Sequence, residues 1–210
     1  MEFLASRKVK WAEGRIAVPA VFTFTTLTIL ATLLHLDRFH FNNTGLFAQA
    51  AAWFWLSIYA IVPPVMLVMW IRQRSISGED PKRSALLPAF LRLALAAQAA
   101  VMLAWGFALF ADPVLFADFW PWKLTPLTSR AIGAWLIGIG VFAAHSVIEN
   151  DYTKIRGGLI SYVAFGLFEL ITLMRYPTSF NWMSPSAWLY LTLVCSILLV
   201  GLYSTKRVAE

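Results

Sequence analysis

Cysteine is nearly missing from this chain. Cys195 is the only one among 210 residues, so no intramolecular disulfide can form. Charge is scarce as well, with 13% of residues charged against 60% hydrophobic. Together with a mean hydropathy of +0.68, this excludes a soluble domain in which each helix hides one apolar face. Familiar catalytic and cofactor motifs are absent too. There is no G-x-S-x-G, H-E-x-x-H, P-loop or G-x-G-x-x-G, and Gly138-Ile139-Gly140 lies within an apolar run, not at a strand-to-helix turn. On these grounds an enzyme is not the first expectation, and no cofactor is expected. No lipidation motif or receptor-read address is evident at either end.

What the chain does have is six apolar runs, separated by polar segments whose Lys and Arg content alternates. Segments 1–15, 72–85, 149–157 and 204–210 hold four, four, two and two of the seventeen. Segments 37–45, 112–130 and 175–185 hold four between them, and Arg92 lies inside a run. The positive-inside rule then predicts an all-α polytopic membrane protein with both termini cytoplasmic. The expected location is integral, in a prokaryotic plasma (inner) membrane. The predicted spans are 16–36, 46–71, 86–111, 131–148, 158–174 and 186–203, forming one transmembrane domain between a basic interfacial tail at 1–15 and a short tail at 204–210. The first run is too long for a signal-peptide core and lacks a convincing cleavage site, so it reads as a retained helix. The net charge of +6 is spread over cytoplasmic ends, where it holds topology and meets anionic headgroups. The bilayer is therefore the expected partner, nucleic acid is not, and a homo-oligomer or a membrane-complex subunit is left open.

Local features refine these spans. Pro19 falls in a first helical turn, where a missing N–H costs little, whereas Pro63-Pro64 removes two donors from the second helix and predicts a kink. Arg92 is close enough to the cytoplasmic end to snorkel. In the fourth helix Ala134 and Gly138, then Gly140 and Ala144, are spaced by four, which permits close helix approach. The fifth and sixth spans are near the minimum for a core of roughly 30 Å and are expected to stand with little tilt. Thr128 or Ser129 is the expected cap of the fourth helix. The outward loop 112–130, rich in aromatics and proline, reads as a rigid element in the headgroups, serving as a lid or a partner surface. Asn42-Asn43-Thr44 matches a glycosylation sequon but reads better as a turn.

Three aromatic pairs, Phe39-His40-Phe41, Trp120-Pro121-Trp122 and Phe180-Asn181-Trp182, each precede a helix bearing Ala-Trp. They read either as an aromatic belt at the outer headgroups or as the trace of three related helical hairpins.

Polar residues inside the runs are the functional candidates. Glu169 lies eleven residues into the fifth predicted span, about 16 Å from its cytoplasmic end and so close to the midplane. A carboxylate there must be protonated, paired or wetted. Tyr162, Phe165, Thr172 and Tyr176 share its helical face. Gln98 of the third helix falls at a matching depth, about 18 Å by the same rise. Glu169, Gln98, Tyr162 and Thr172 therefore form the candidate ion- or substrate-binding group, with a Gln98–Glu169 helix clasp as the purely structural reading.

Thr25, Thr28, Thr32 and His35 form a second stripe. It lines a pathway, or its hydroxyls bond the carbonyls four residues back. His145 and Glu149 are spaced i, i+4 toward the cytoplasmic face, as a local pair or a weak cytoplasmic-side site for which Asp151 is the nearest third ligand. No metal is expected there. His35 and His145 differ in depth by about 20 Å and cannot share one haem iron, although a single axial His stays open.

These features make a small-solute or ion transporter or channel the leading reading, with Glu169 as a midplane proton or cation site. The alternatives are an accessory or assembly subunit of a membrane complex, and a membrane-embedded enzyme or lipid-binding protein working near His145 and Glu149.

Overall fold

The computed structural model describes residues 16–42, 45–74, 83 and 85–206. The basic tail 1–15 and, in the Asn42-Asn43-Thr44 turn, Asn43 and Thr44 lie outside the described residues. The chain forms α1 (Ala17–Leu34), α2 (Leu46–Arg74), α3 (Ala89–Ala111), a short α4 (Pro113–Ala117), α5 (Pro126–Glu149), α6 (Tyr152–Arg175) and α7 (Pro185–Lys206), with single 3-10 turns at Leu36–Arg38 and Pro177–Ser179. All but α4 are long and apolar enough to cross a membrane, so the architecture is that of a six-span helical membrane protein. No strand occurs among the described residues.

The third span begins at Ala89, three residues after the predicted start, whereas two helices begin five or more residues early, and both of these differences have local causes. The fourth span begins at Pro126, with Thr125 as its N-cap. The Thr125 hydroxyl accepts from Thr128 N at 3.2 Å, and Pro at the first helical position has no N–H to leave unpaired. Ser129 is no cap; it donates to Leu109 O of α3 at 3.0 Å. The fifth span begins at Tyr152, six residues before the predicted start. Asp151 caps it by accepting from Thr153 N at 3.1 Å and Thr153 Oγ1 at 2.7 Å. The charge of Lys154, which marked this stretch as loop, is met by Glu149 at 2.5 Å and by Asp151 at 3.9 Å. With the ammonium neutralised the helix extends, and α6 and α7 reach 24 and 22 residues instead of minimal spans.

Only Asn150 and Asp151 separate α5 from α6. Asn150 takes the left-handed conformation (φ 48°, ψ 41°) that turns the chain, at a small cost for Asn. Its side-chain oxygen accepts from Leu87 N at 3.3 Å, while Tyr152 N donates to Ala85 O at 2.7 Å and Tyr152 OH donates to Ser204 O. The loop before α3, the α5–α6 turn and the last turns of α7 are thereby tied together. This end of the bundle, expected to be cytoplasmic, is called the basic end below and the other the far end.

Consecutive spans pair as hairpins, α1 with α2, α3 with α5 and α6 with α7, and α5 also packs along α1. The small residues of α5 are used within the chain. Gly133 and Gly106 face each other so closely that a Cβ on Gly133 would stand 2.7 Å from Gly106 O. Gly138 admits the Phe24 side chain of α1, and Gly140 admits Leu103 of α3. Ala134 and Ala143 are fully buried. Helix α2 is continuous through Pro63 and Pro64 and packs on α1 at the edge of the bundle. Beyond their tight turn α5 and α6 separate, leaving an apolar cleft of about 400 Å³ between α1, α5 and α6.

Candidate functional site

The helical stripe on α6 lines two different cavities. Tyr162 and Phe165 face the apolar cleft together with Phe24, Trp135 and Phe142, whereas Glu169, Thr172 and Tyr176 face a cavity of about 240 Å³ at the far end. Because α6 starts at Tyr152, Glu169 is about 26 Å from the basic end of its helix and about 9 Å from the far end. It therefore lies in the far-end half, not at the midplane.

Two loops and the start of α7 complete the far-end cavity. Trp122 comes from the segment between α4 and α5, Ser179 and Phe180 from the connection after α6, and Tyr190 from the second turn of α7. Asn181 N donates to Pro121 O at 2.7 Å, which pins the two loops to each other. Trp120 and Pro121 are buried beneath them. The rings pack edge to face: Trp122 and Tyr190 have centroids 5.3 Å apart at 87°, Trp120 and Tyr190 5.4 Å at 73°. Trp120 also meets Trp105 of α3 at 4.8 Å. Such offset contacts suit the ring quadrupoles and hold the loop down on α3 and α7, so loop 112–130 acts as a cover for this end of the bundle.

Within the cavity Tyr190 OH donates to Glu169 Oε2 at 2.5 Å. No other described residue donates to Glu169, and among the described residues no Lys, Arg or His nitrogen comes within ion-pair distance of it. Thr172, which also lines the cavity, donates Oγ1–H to Phe168 O at 2.8 Å. At the rim, Arg175 stacks on the Tyr176 ring with its guanidinium carbon 5.7 Å from the centroid.

Gln98 is not part of this site. Its amide nitrogen donates to Ser196 Oγ of α7 at 3.0 Å, and the expected clasp with Glu169 does not form. The reason is depth. Gln98 and Ser196 lie about 14 and 15 Å from the basic ends of α3 and α7, whereas Glu169 lies about 12 Å farther along the bundle. Tyr162 is likewise separate from Glu169. It is buried, meets the Phe142 ring at 5.5 Å, and its hydroxyl has no partner among the described residues.

The threonine stripe of α1 faces packed helices. Thr25, Thr28 and Thr32 are buried and donate to the carbonyls of Val21, Phe24 and Thr28 at 2.7, 2.8 and 2.9 Å. Thr32 also accepts from Trp55 Nε1 of α2 at 3.1 Å. These three line none of the cavities described above. His35, at the end of α1, contacts Arg130 of α5, Nε2 to Nη1, at 2.6 Å. In that contact the ring nitrogen is the acceptor, and burial, reinforced by the Arg130 guanidinium, lowers the imidazole pKa from its ordinary value while Asp37 opposes the shift.

At the basic end Glu149 is engaged by Lys154, not by His145 as the i, i+4 spacing predicts. The ammonium offers the carboxylate a charge-assisted bond. No group of three or more His, Cys, Asp or Glu side chains suited to a metal gathers among the described residues.

Sequence reasoning missed Tyr190, Trp122 and Phe180. A signal for Tyr190 was present: it is about 8 Å from the far end of α7 by helical rise, nearly level with Glu169. The two aromatics were read as part of an interfacial belt or of a hairpin repeat, and not as walls of a site around Glu169, because hydropathy says nothing about which helix a loop folds over. Comparison of the chain with protein-family models, curated proteins and solved structures returns no match.

Proposed function

We propose that this six-span membrane protein is a small-solute or ion transporter or channel that takes a cation at Glu169 from the far end of the bundle. One observation carries the reading: a carboxylate inside a membrane-spanning helix, open to a cavity, holds one phenol and no cationic partner among the described residues. Such a group is costly unless a proton or cation joins it. The test is flux in reconstituted vesicles. Glu169→Gln keeps an acceptor for Tyr190 but removes the charge, and it is expected to lower cation flux at least about tenfold, the effect of roughly 1.4 kcal/mol of lost binding or barrier energy. Flux equal to that of the parent protein overturns the reading.

A second reading, an accessory or assembly subunit, is favoured by α2. This helix packs on α1 alone among the major pairings and exposes Phe54, Ile61 and Ile71. A photo-cross-linker at position 54 or 61 distinguishes the two readings. A single protein adduct of fixed stoichiometry supports the subunit, and lipid adducts alone count against it.

A further inference from the structure

The composition of the far-end cavity restricts which cation it suits. A hard ion such as sodium or calcium gives up its hydration shell only for several oxygens, six to eight in the case of calcium. Here the lining side chains supply one charged oxygen ligand, the Glu169 carboxylate, half engaged by Tyr190, beside the neutral hydroxyls of Thr172, Tyr176, Ser179 and Tyr190. The remaining wall is largely aromatic, from Trp122, Tyr176, Phe180 and Tyr190. Ring faces cannot replace water around a compact ion. They do attract a weakly hydrated cation whose charge is spread over alkyl groups, and an aromatic cage with a carboxylate is the usual chemistry for that class.

Three further observations agree. The volume of about 240 Å³ falls just below the roughly 300–1,000 Å³ of sites for drug-sized ligands, which suits a group of a few heavy atoms. One face of the Tyr176 ring already carries a cation, the Arg175 guanidinium, yet Arg175 forms no ion pair with Glu169. The position about 9 Å inside the far end of α6 is within reach both of a solute from that side and of a lipid headgroup.

We propose that the cavity formed by Glu169, Trp122, Tyr176, Phe180 and Tyr190 binds an alkylated ammonium group, either a free quaternary amine or the choline-type headgroup of a lipid. This rests on Glu169 being the cation site and names the class of cation. The alkyl groups contact the ring faces, the carboxylate neutralises the charge, and no covalent step is involved.

Isothermal titration calorimetry of the full chain in phosphatidylglycerol nanodiscs tests it, with tetramethylammonium chloride, choline chloride and sodium chloride at matched ionic strength and with the uncharged tert-butyl analogue of choline. The expected result is saturable binding of both quaternary amines, at least about tenfold weaker binding of the uncharged analogue, and a similar loss in Glu169→Gln and Trp122→Leu. A thermal melt of each variant establishes that it is folded, and the analogue comparison on the parent protein does not depend on any variant.

Repeating the choline titration in phosphatidylcholine nanodiscs separates the two sources. Apparent affinity reduced at least about tenfold identifies the headgroup as occupant, and unchanged affinity identifies the free amine; either outcome supports the proposal. Equal binding of the uncharged analogue, or no tetramethylammonium binding by the parent protein, overturns it. If sodium or proton flux still depends on Glu169 in that case, the cation-site reading survives alone. Parent-like tetramethylammonium affinity together with parent-like flux in Glu169→Gln overturns both.

Discussion

Tyr190 of α7 donates its phenolic hydrogen to Glu169 of α6 at 2.5 Å, joining at the far end two helices that Tyr152 OH and Ser204 O join at the basic end. The same bond orients the carboxylate in the far-end cavity and ties the hairpin together where the covering loop rests on it.

Removing this hydrogen bond separates its structural part from the charge. Tyr190→Phe is expected to cost about 1 kcal/mol, typical of interhelical polar contacts in membrane bundles. Glu169→Gln, which keeps an acceptor, is expected to cost less. Thermal melts of the two variants in detergent give the order, and an equal or larger loss in Glu169→Gln contradicts the assignment of the phenol as donor to a carboxylate.

The glycine contact between α3 and α5 leaves no room for a methyl group. Gly133→Ala places a Cβ 2.7 Å from Gly106 O, and forcing backbones apart in this way is expected to cost about 1–3 kcal/mol. Gly157→Ala, with nothing within 4 Å of the added carbon, is expected to be neutral or to stabilise the helix by up to about 1 kcal/mol. Unfolding in a denaturing detergent series measures both, and comparable losses in the two would contradict the packing described here.

At the basic end, Lys154→Met deprives buried Asp151 and half-buried Glu149 of their shared ammonium. The expected loss is about 2–3 kcal/mol, toward the lower end of the range for breaking buried pairs because this cluster is at the membrane boundary. Circular dichroism melts provide the value, and proteolysis within 150–158 should accelerate as the first turn of α6 frays. A melt unchanged from that of the parent protein would mean that the ion pair does not hold the helix start.

His35 confers a pH dependence with a definite sign. Its folded pKa lies below the ordinary 6.5 because burial and Arg130 favour the neutral ring, so the unfolded chain binds the proton more readily. Stability is therefore full above about pH 6.5 and is lost as pH falls through the lowered folded value. Replacing Arg130 with Met removes the larger of the two guanidinium contributions, Arg38 being the other, and is expected to flatten this window while raising the His35 pKa. NMR titration of the His35 ring follows the pKa, and an unmoved titration curve in Arg130→Met shows that the guanidinium contributes nothing.

The helical face Tyr162, Phe165, Glu169, Thr172 and Tyr176 was legible from spacing alone, because the 3.6-residue period holds whatever packs against it. Its division between two cavities was not, since that depends on how α5 and α6 diverge after Asn150. The pairing of Gln98 with Glu169 failed through an axial error of two turns. Lys154 and Arg156 look like loop residues until Glu149 and Asp151 come round to neutralise Lys154.

The number of spans was determined by the sequence by itself. A bilayer demands about 20 apolar residues per crossing and internal satisfaction of every backbone group, and those demands are written along one dimension. Lateral neighbours were decided by the tertiary structure alone. That α5 is clasped by α1 and α3, that Gln98 meets Ser196, and that Tyr190 with Trp122 encloses Glu169 all follow from where small residues let backbones approach and where the far-end loops fold back. Hydropathy cannot encode those choices, because lipid is as apolar as the side chains it contacts and does not favour one helix neighbour over another.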